Sequence, residues 1–372
     1  MRIAVFYNIP FGGAKRVVLE NVKGLRALSH KVDVYTLSHE QDIFEPGVFA
    51  DNEYVYAYQP KEFNIPVLSR IVKDFQSFYS LKKLHKKIAE DINSKDYDIA
   101  LIYIDTNTHS PYILRFLRVK NVYFCFEPLR MVYEYALRIP SSLNWLNKIY
   151  EHINRTIRKR IDRRNARFAM HITTLSLFAR EYIIQAYDLY PTVSYIGVDE
   201  KVFKKNKQKK KNQILFVAEK EYIYGYDLLK DALGYILKKN RPKLKIVFGT
   251  KKSQRITDKE LISIYNESLV TLSLSRFDTF GLVPLESMAC ETPVIALNVA
   301  GYREIIRDGE TGFLVGFDPK EISEKIDFFI QNPQASSEMG KNGRESIEGK
   351  WTWKKQILDL ENLLIKLSQQ VK

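Results

Sequence analysis

Two carboxylates eight positions apart, in a stretch that runs from an apolar segment through a glycine turn into a helix, are the residues of this sequence best placed to do chemistry. The stretch is Leu272–Leu297, LSLSRFDTFGLVPLESMACETPVIAL, and the carboxylates are Asp278 and Glu286. An apolar strand leads to Asp278-Thr279-Phe280-Gly281-Leu282, a helix carrying Glu286 follows, and a second apolar strand closes the unit. A loop that opens onto a helix N-terminus presents free backbone N–H groups and the positive end of the helix dipole, a setting that favours an anion such as a phosphate. Gly281 lets the backbone approach a ligand closely. Glu286, in the first helical turns, is positioned to accept hydrogen bonds from a ribose diol, and Asp278, ahead of the helix, to bind sugar hydroxyls. Taken singly, Asp278 reads as a plain helix N-cap and Glu286 as a solvated helix residue. The surrounding pattern favours the ligand-binding reading of both.

The elements that must hold such a site alternate between strand and helix. Ile3–Tyr7 is an apolar run that ends in Asn8-Ile9-Pro10-Phe11-Gly12-Gly13, a strand feeding a glycine turn, and Ala14 to Ala27 has Val17, Val18, Val22 and Leu25 at helical spacing. Lys31–Leu37 alternates like a strand. Arg70–Asp91 reads as an amphipathic helix with Ile71, Phe75, Phe78, Tyr79 and Leu84 on one side, and Asp98–Ile104 and Asn121–Phe126 read as buried strands. The polar, lysine-rich Lys204–Asn212 (KKNKQKKKN) suits an interdomain linker. Beyond it the alternation restarts, with strands at Gln213–Ala218, Lys243–Phe248, Leu269–Leu274 and Pro293–Leu297 and helices at Tyr226–Leu237, Asp258–Ser268, Glu321–Ile330 and Trp353–Leu367. Repeated strand–helix–strand units predict two α/β domains with parallel sheets. Ligands in such sheets bind at the carboxyl ends of the strands, so functional residues belong in the loops just after them.

Composition narrows the function classes. The 372 residues carry 58 Lys+Arg against 44 Asp+Glu, a net charge of +14 that invites an anionic partner: nucleic acid, a membrane surface or a phosphorylated substrate. At 45% hydrophobic and 27% charged the chain is globular rather than disordered. Cys125 and Cys290, the two cysteines, are far apart without metal-ligand spacing, which speaks against a disulfide scaffold and a cysteine zinc site. No apolar run reaches the ~18 residues of a membrane span, and Met1–Tyr7 reads as a strand rather than a signal-peptide core. The expectation is a cytoplasmic protein.

The Leu272–Leu297 segment resembles the signature of retaining glycosyltransferases of the glycosyltransferase family 4 type, in which two glutamates separated by seven residues precede a small-residue helix and a "PVI" strand. Asp278 and Glu286 hold those two positions. Three further segments carry the resemblance: Ser194–Phe203 (SYIGVDEKVF), Gly301–Val315 (GYREIIRDGETGFLV) and the glycine loop Phe11–Val18 (FGGAKRVV). It implies an α/β protein of GT-B fold, two Rossmann-like doubly wound domains facing a central cleft. The expected boundaries are residues 1–198 for an acceptor-binding domain and 199–350 for a nucleotide-sugar-binding domain, with a C-terminal helix at about 351–372 packing back on the first. The implied activity is retaining transfer of a sugar from a nucleoside-diphosphate sugar, with no required metal, to a glycan or polyprenyl-linked acceptor in cell-surface polysaccharide or glycoconjugate synthesis. The resemblance gives Glu286 the donor ribose and Asp278, as a catalytic residue, the transferred sugar. It gives Thr279, Phe280, Gly281 and Leu282 sugar and phosphate contacts, and Gly12 and Gly13 close approach to the diphosphate.

The sequence departs from that family pattern at four places. After the first strand of the second domain, Glu219 stands where an arginine is expected and Tyr224 where a lysine is expected, and a carboxylate beside a diphosphate is repulsive. Lys220, Lys251, Lys252 and Arg255 are the cations available in exchange, each with solvated surface charge as its alternative; Lys220 is taken as the donor-site cation. Few residues separate Phe248-Gly249 from the Thr257–Ser268 helix, where the family fits a further helix and strand, so the second domain reads as shortened. Phe126 replaces a common histidine, and the adjacent Glu127-Pro128-Leu129-Arg130 resembles an "EP-R" variant of that loop. There Glu127 either orients an acceptor hydroxyl or stabilises a developing cation, with Arg130 as an acceptor contact, or the two form a local ion pair. His109, in another loop after a strand, is a further acceptor candidate. Lastly, Glu291 replaces a usual glycine, which reads as a turn variant.

The positive charge concentrates in Arg155–Arg167 (RTIRKRIDRRNAR). Upstream, Trp145, Ile149, Tyr150, Ile153, Ile157 and Ile161 recur at helical spacing. That is a basic amphipathic helix, a pattern able to lie on anionic lipid, and Lys82, Lys83, Lys86 and Lys87 decorate the Arg70–Asp91 helix similarly. The apolar stripe is expected in the core and the basic face on the membrane, which makes the protein peripheral on the inner face of the membrane. No recognisable nucleic-acid module is present, so nucleic acid is not an expected partner. The rival readings are a non-catalytic GT-B homologue, acting as a partner subunit or glycan-binding scaffold, which Glu219 and Tyr224 favour, and a GT-B sugar-nucleotide epimerase.

Overall fold

A computed structural model describes residues 1–37, 43–58, 66–134, 137, 139, 143–247 and 256–370. The side chain of Phe75 and residues Phe248-Gly249, Lys251, Lys252 and Arg255 lie outside the described residues. The chain divides into two compact units, one of Met1–Leu175, Arg180–Ser194 and Ile357–Lys372, the other of Ser176–Ala179 and Tyr195–Gln356.

The first unit is built on strands β1 (Arg2–Asn8), β2 (Lys31–Thr36), β3 (Asn52–Val55), β4 (Ile99–Asp105), β5 (Asn121–Phe124), β6 (His171–Thr174) and β7 (Thr192–Val193). They form one parallel sheet in the order β3-β2-β1-β4-β5-β6-β7. A parallel strand covered on both faces reads as a continuous apolar run rather than an alternating one. That is why Ile3-Ala4-Val5-Phe6 and Ile99-Ala100-Leu101-Ile102 are the central strands and are wholly buried. Helix α1 (Gly13–Ala27) buries the expected Val17, Val18, Val22 and Leu25. Helix α2 (Pro66–Asn93) buries a different face from the one its aromatic residues suggest. Leu81, His85, Ile88, Ala89 and Ile92 point into the core, while Ile71 and Tyr79 are about half exposed. Helices α3 (Arg130–Tyr133), α4 (Trp145–Ala166) and α5 (Leu177–Tyr187) follow. The apolar stripe of α4 is not in the core: Trp145, Ile149, Ile153 and Ile157 are exposed.

The second unit carries β8 (Gln213–Val217), α6 (Tyr226–Tyr235), β9 (Lys243–Val247), α7 (Asp258–Glu267), β10 (Val270–Ser273), α8 (Leu282–Ala289), β11 (Val294–Leu297), α9 (Tyr302–Ile305), β12 (Gly312–Val315), α10 (Pro319–Gln331) and α11 (Pro333–Lys350). Among the described residues its sheet is parallel in the order β12-β11-β10-β8-β9. Among the described residues it has one strand fewer at each edge than the first sheet, and the brief connection after β9 bears on the edge beside β9. Helix α7 starts where its sequence says it should: Thr257 and Glu260 form a capping box. The lysine-rich 204–212 segment does not join the units. It lies within the second one, where Lys205 pairs with Glu291 at 2.7 Å and the Lys211 N–H donates to the Glu267 carbonyl at 2.8 Å.

Helix α12 (Trp353–Gln369) belongs to the first unit from Ile357 onward. Ile357 fills the space where a Cβ on Gly24 of α1 would stand, 2.6 Å from it, and Glu361 meets the ring of His30 at 2.7 Å. Each sheet reverses its strand order once, between β1 and β4 in the first and between β8 and β10 in the second. A doubly wound sheet opens a binding crevice at the carboxyl end of that reversal.

Candidate functional site

In the second unit the loops after β8 and β10 lie against each other. Gly225, at φ 75°, lets them close up, since a Cβ there would stand 2.1 Å from the Leu274 carbonyl oxygen. The Arg276 N–H donates to the Ile223 carbonyl at 2.9 Å. The Arg276 guanidinium grips Asp227 with two bonds of 2.8 and 2.6 Å and stacks 3.7 Å over the Tyr222 ring. Burial draws the Asp227 pKa up, but Arg276 and the backbone N–H groups of α6 outweigh it and hold the carboxyl below its ordinary range. This bidentate clamp was not legible in the sequence, because Asp227 and Arg276 are far apart in the chain and, although Arg276 stands in the Leu272–Leu297 segment, Asp227 stands in no motif.

Asp278 then turns the chain. Its Oδ1 accepts the Phe280 N–H at 3.2 Å, its Oδ2 accepts the Tyr302 hydroxyl at 3.1 Å, and its carbonyl accepts the Gly301 N–H at 3.0 Å. It is therefore a turn-former and not the N-cap of α8; that position is Gly281, at φ 111°. A Cβ on Gly281 would meet the Tyr302 ring at 2.9 Å, and one on Gly301 would meet the Phe280 Cα at 2.4 Å, so both glycines are fixed by close approach. Among the described residues no side chain caps α8. Its first-turn N–H groups are left for solvent or a ligand to satisfy.

Glu286 is not a solvated helix residue either. It is 5% exposed, and its Oε2 accepts the Tyr265 hydroxyl at 3.0 Å. The side chain of Phe280 is core, packed with Tyr195 and Trp351, and Thr279 is buried with its carbonyl accepting from Ser176 Oγ. A contact from Phe280 to a ligand is thus one through backbone. Leu282 opens α8. Lys220 is exposed, its ammonium 5.9 Å from the Tyr226 ring centroid. Tyr224 is half-buried against the core of this unit. Glu304, which the sequence marks only by its place in a motif, accepts the N–H groups of Leu177 and Phe178 at 3.0 and 2.9 Å and the Tyr195 hydroxyl at 3.1 Å.

In the first unit the carboxyl ends of β1 and β4 are tied together through Asp105. It accepts from Asn8 Nδ2 at 2.7 Å and from the N–H groups of Asn107 and Thr108 at 2.8 Å each. Beneath it lies His85, wholly buried, with Nε2 3.6 Å from Asp105 Oδ2. Burial pushes the His85 pKa down to about 4 against the opposing pull of Asp105. The loop then places His109 at φ 63°, with Nε2 against the Glu127 carbonyl oxygen. Glu127 Oε1 pairs with Arg130 Nε at 2.6 Å. The local ion pair is therefore formed, and the fold gathers His109, Glu127 and Arg130 in one place. Gly12, at φ 153°, follows the neighbouring strand β1, and Gly13 begins α1. A cavity of about 550 Å³ between α3 and α4, lined in part by Met131, Tyr133, His152, Arg155 and Lys159, had no signal in the sequence. Among the described residues no group of three or more His, Cys, Asp or Glu side chains is placed to hold a metal ion.

A family model described as Glycosyltransferase Family 4 matches residues 11–202, just over half of the 372. The chain belongs to that family. A second model, Glycosyl transferases group 1, matches residues 250–346, the stretch that holds Asp278 and Glu286. As a family 4 member it is 38% identical to the human alpha-1,3/1,6-mannosyltransferase ALG2 over 96 residues, 26% of this chain and 23% of that one. It is 30% identical to an uncharacterized glycosyltransferase of Methanocaldococcus jannaschii over 162 residues, 42% and 44% of the two chains. It is 39% identical to the capsular polysaccharide biosynthesis glycosyltransferase CapM of Staphylococcus aureus over 92 residues, 24% of each. The chain spans less than half the length of each of these curated relatives. The solved structures agree on fold. Sucrose-phosphate synthase from Thermosynechococcus elongatus aligns with a TM-score of 0.74 at 18% identity over 99% of both chains. Anabaena HepE in complex with UDP aligns with a TM-score of 0.71 at 17% identity, over 98% of this chain and 100% of that one. The two doubly wound parallel sheets are those of the GT-B fold.

Proposed function

We propose that this family 4 member is a retaining glycosyltransferase. It moves a sugar from a nucleoside-diphosphate sugar to a glycan or polyprenyl-linked acceptor during synthesis of a cell-surface polysaccharide or glycoconjugate. The observation that carries the reading is the pair of carboxylates at the carboxyl end of the second sheet, each held by a tyrosine hydroxyl beside an uncapped helix start. A ribose diol donates to the Glu286 carboxylate, which as an ion accepts several hydrogen bonds at once, and the sugar's hydroxyls do the same at Asp278. The N–H groups around Gly281 and Leu282 receive the diphosphate, whose charge grows as it leaves, and the family resemblance gives Gly12 and Gly13 their part in binding it. Donors preorganised for that charge lower the barrier to an oxocarbenium-like transition state. With Glu219 and Tyr224 in place of cations, Lys220 supplies the positive side chain. The second domain, residues 199–350, takes the donor, and the first, residues 1–198, takes the acceptor. In the first, Glu127 acts on the developing cation or the acceptor hydroxyl, and Arg130 and His109 hold the acceptor.

UDP is the first nucleotide to try, because the HepE structure of the same fold holds it. The protein works on the inner face of the membrane, where a lipid-linked acceptor and a cytoplasmic donor meet. Among the described residues no helix is long and apolar enough to cross a membrane. The test is transfer from a panel of nucleoside-diphosphate sugars to polyprenyl-linked glycans, with the anomeric configuration of the product read by NMR. Retained configuration is expected. Inversion overturns the mechanism, and absence of transfer with a donor that binds favours a non-catalytic homologue.

A further inference from the structure

Helix α4 is amphipathic with its faces reversed for a helix resting on a globular unit. The positions it buries are polar: Glu151, Asn154, Asp162 and Asn165, with Ala166 the apolar exception. Each of the four has partners in the first unit. Glu151 pairs with Arg70 and Arg155, and Asn154 Nδ2 donates to Asp74 Oδ2 at 2.6 Å. Asp162 accepts the Ser110 N–H at 3.0 Å and the Tyr187 hydroxyl at 2.7 Å, and Asn165 Nδ2 donates to the Ser110 carbonyl at 2.7 Å. Arg158, close to that face, binds Asp74 and the Asn107 carbonyl. The buried side is therefore satisfied, and its hydrogen bonds fix which way the helix faces. The outward side carries the apolar residues: Trp145 is 68% exposed, Leu146 60%, Ile149 49%, Ile153 56% and Ile157 38%. Trp145, Ile149, Ile153 and Ile157 follow one another at four-residue steps, and Leu146 stands three before Ile149, so the five form one ridge along the helix.

The exposed charge around this ridge is mostly positive, with Glu90 of α2, paired with Lys86, as an acidic exception. Lys159, Arg160, Arg163 and Arg164 are exposed on the C-terminal turns of α4. Helix α2, bound alongside through Arg70 and Asp74, exposes Lys82, Lys83, Lys86 and Lys87. An exposed apolar ridge with a cationic border matches the boundary between acyl chains and anionic headgroups. A tryptophan at its end suits the interfacial zone.

We propose that α4 is a membrane-insertion element. Trp145, Leu146, Ile149, Ile153 and Ile157 enter the headgroup–acyl boundary of an anionic bilayer, and the lysines and arginines of α4 and α2 hold the headgroups. The proposal rests on the peripheral-membrane reading above and reverses the role expected of the stripe: the apolar residues make the contact instead of filling the core. The His152, Thr156 and Lys159 side chains that line the α3–α4 cavity run along one flank of the ridge, so insertion brings that cavity to headgroup level.

The experiment uses the whole chain with vesicles of phosphatidylcholine alone and with added phosphatidylglycerol, read by sedimentation and by tryptophan emission. Trp351 and Trp353 are buried, so Trp145 dominates any change, and Trp145→Phe checks that assignment. Binding to the anionic vesicles with a blue-shifted emission is expected. Ile149→Glu with Ile153→Glu should weaken partitioning by roughly tenfold or more at every salt concentration. Arg160→Ala, Arg163→Ala and Arg164→Ala together should weaken it most at low salt. All five positions are exposed, and Ile149→Ser with Ile153→Ser provides a milder version of the first pair. Binding with unmoved emission, unaffected by either isoleucine pair, overturns insertion and leaves a purely electrostatic membrane contact. Failure to bind any vesicle overturns the membrane reading itself. A dimer in solution that the isoleucine pairs convert to monomer overturns the proposal by making the ridge a subunit interface.

Discussion

Each sheet ends in a glycine turn that feeds a helix, but the carboxylates at the two sheet ends are held by different kinds of partner. At the first sheet Glu127 is paired with Arg130, and Asp105 is ringed by an amide, two N–H groups and a buried histidine. At the second, Asp278 accepts the Tyr302 hydroxyl and the Phe280 N–H, and Glu286 accepts the Tyr265 hydroxyl. A carboxylate held by a neutral hydroxyl can accept ligand hydroxyls in addition, whereas separating a carboxylate from a guanidinium leaves two charges to be satisfied. The second end is thus suited to a polyhydroxyl ligand that enters and leaves. The first is suited to holding one carboxylate in a fixed position.

The largest effect expected from this contrast is at the tyrosine-held pair. Asp278→Ala with Glu286→Ala should abolish measurable transfer, a loss of at least about 10³-fold, while circular dichroism and thermal unfolding show a folded chain. A folded double variant that transfers at the parent rate would remove the second end from the chemistry.

The next effect belongs to the first end and appears as pH dependence of stability. His85 has a folded pKa of about 4 against an ordinary 6.5. Between those values the unfolded chain takes up a proton that the folded chain refuses. The stability contributed by the neutral histidine is complete above pH 6.5 and is lost as pH falls toward 4, by up to about 3 kcal/mol. Thermal unfolding across that window should show a steeper loss for the parent than for His85→Gln. Equal slopes would mean that the histidine is not held neutral beneath Asp105.

Glu127→Gln sharpens the comparison further. With the charge gone and the shape kept, turnover at saturating donor should fall by about 10²-fold with little change in donor KM. A changed donor KM with normal turnover would move Glu127 to the donor's side. The smallest effect is at Glu291, which stands at φ 54°, a conformation that favours glycine. Glu291→Gly should raise stability by about 0.5–1 kcal/mol, because its ion pair reaches the half-exposed Lys205 and contributes little. A lower melting temperature would show that the pair outweighs the backbone strain.

These elements also mark what the sequence made legible. The central strands were legible because burial on both faces leaves uninterrupted apolar runs, as in Ile99–Ile102. Helix α7 was legible because its capping box is local. Asp278 and Glu286 stood out because a strand, a glycine turn and a helix surround them. Their tyrosine partners did not: Tyr302 and Tyr265 lie more than twenty residues away, and although Tyr302 stands in the Gly301–Val315 segment, nothing in the sequence couples either tyrosine to its carboxylate. The period of α4 was readable, but not its facing. That is set by Asp74, Ser110 and Tyr187, which satisfy its polar side from remote parts of the chain. The lysine run at 204–212 has the composition of a linker, yet it is pinned by Glu267 and Glu291, residues that only the fold brings near. Glu291 illustrates the reverse case, an unremarkable turn substitution whose cost shows only in its backbone angle.

The central claim is that the second sheet's carboxyl end binds a nucleoside-diphosphate sugar despite Glu219 and Tyr224. Thermal unfolding of the parent and of the Asp278→Ala, Glu286→Ala variant, against a panel of nucleoside diphosphates and their sugar conjugates without added metal, tests it most directly. A ligand at 100 times its Kd adds about 2.7 kcal/mol. The account predicts a clear rise in melting temperature for the parent with one nucleotide, UDP tried first, and none for the variant. A parent that no member of the panel stabilises, or a variant stabilised as much as the parent, would contradict it.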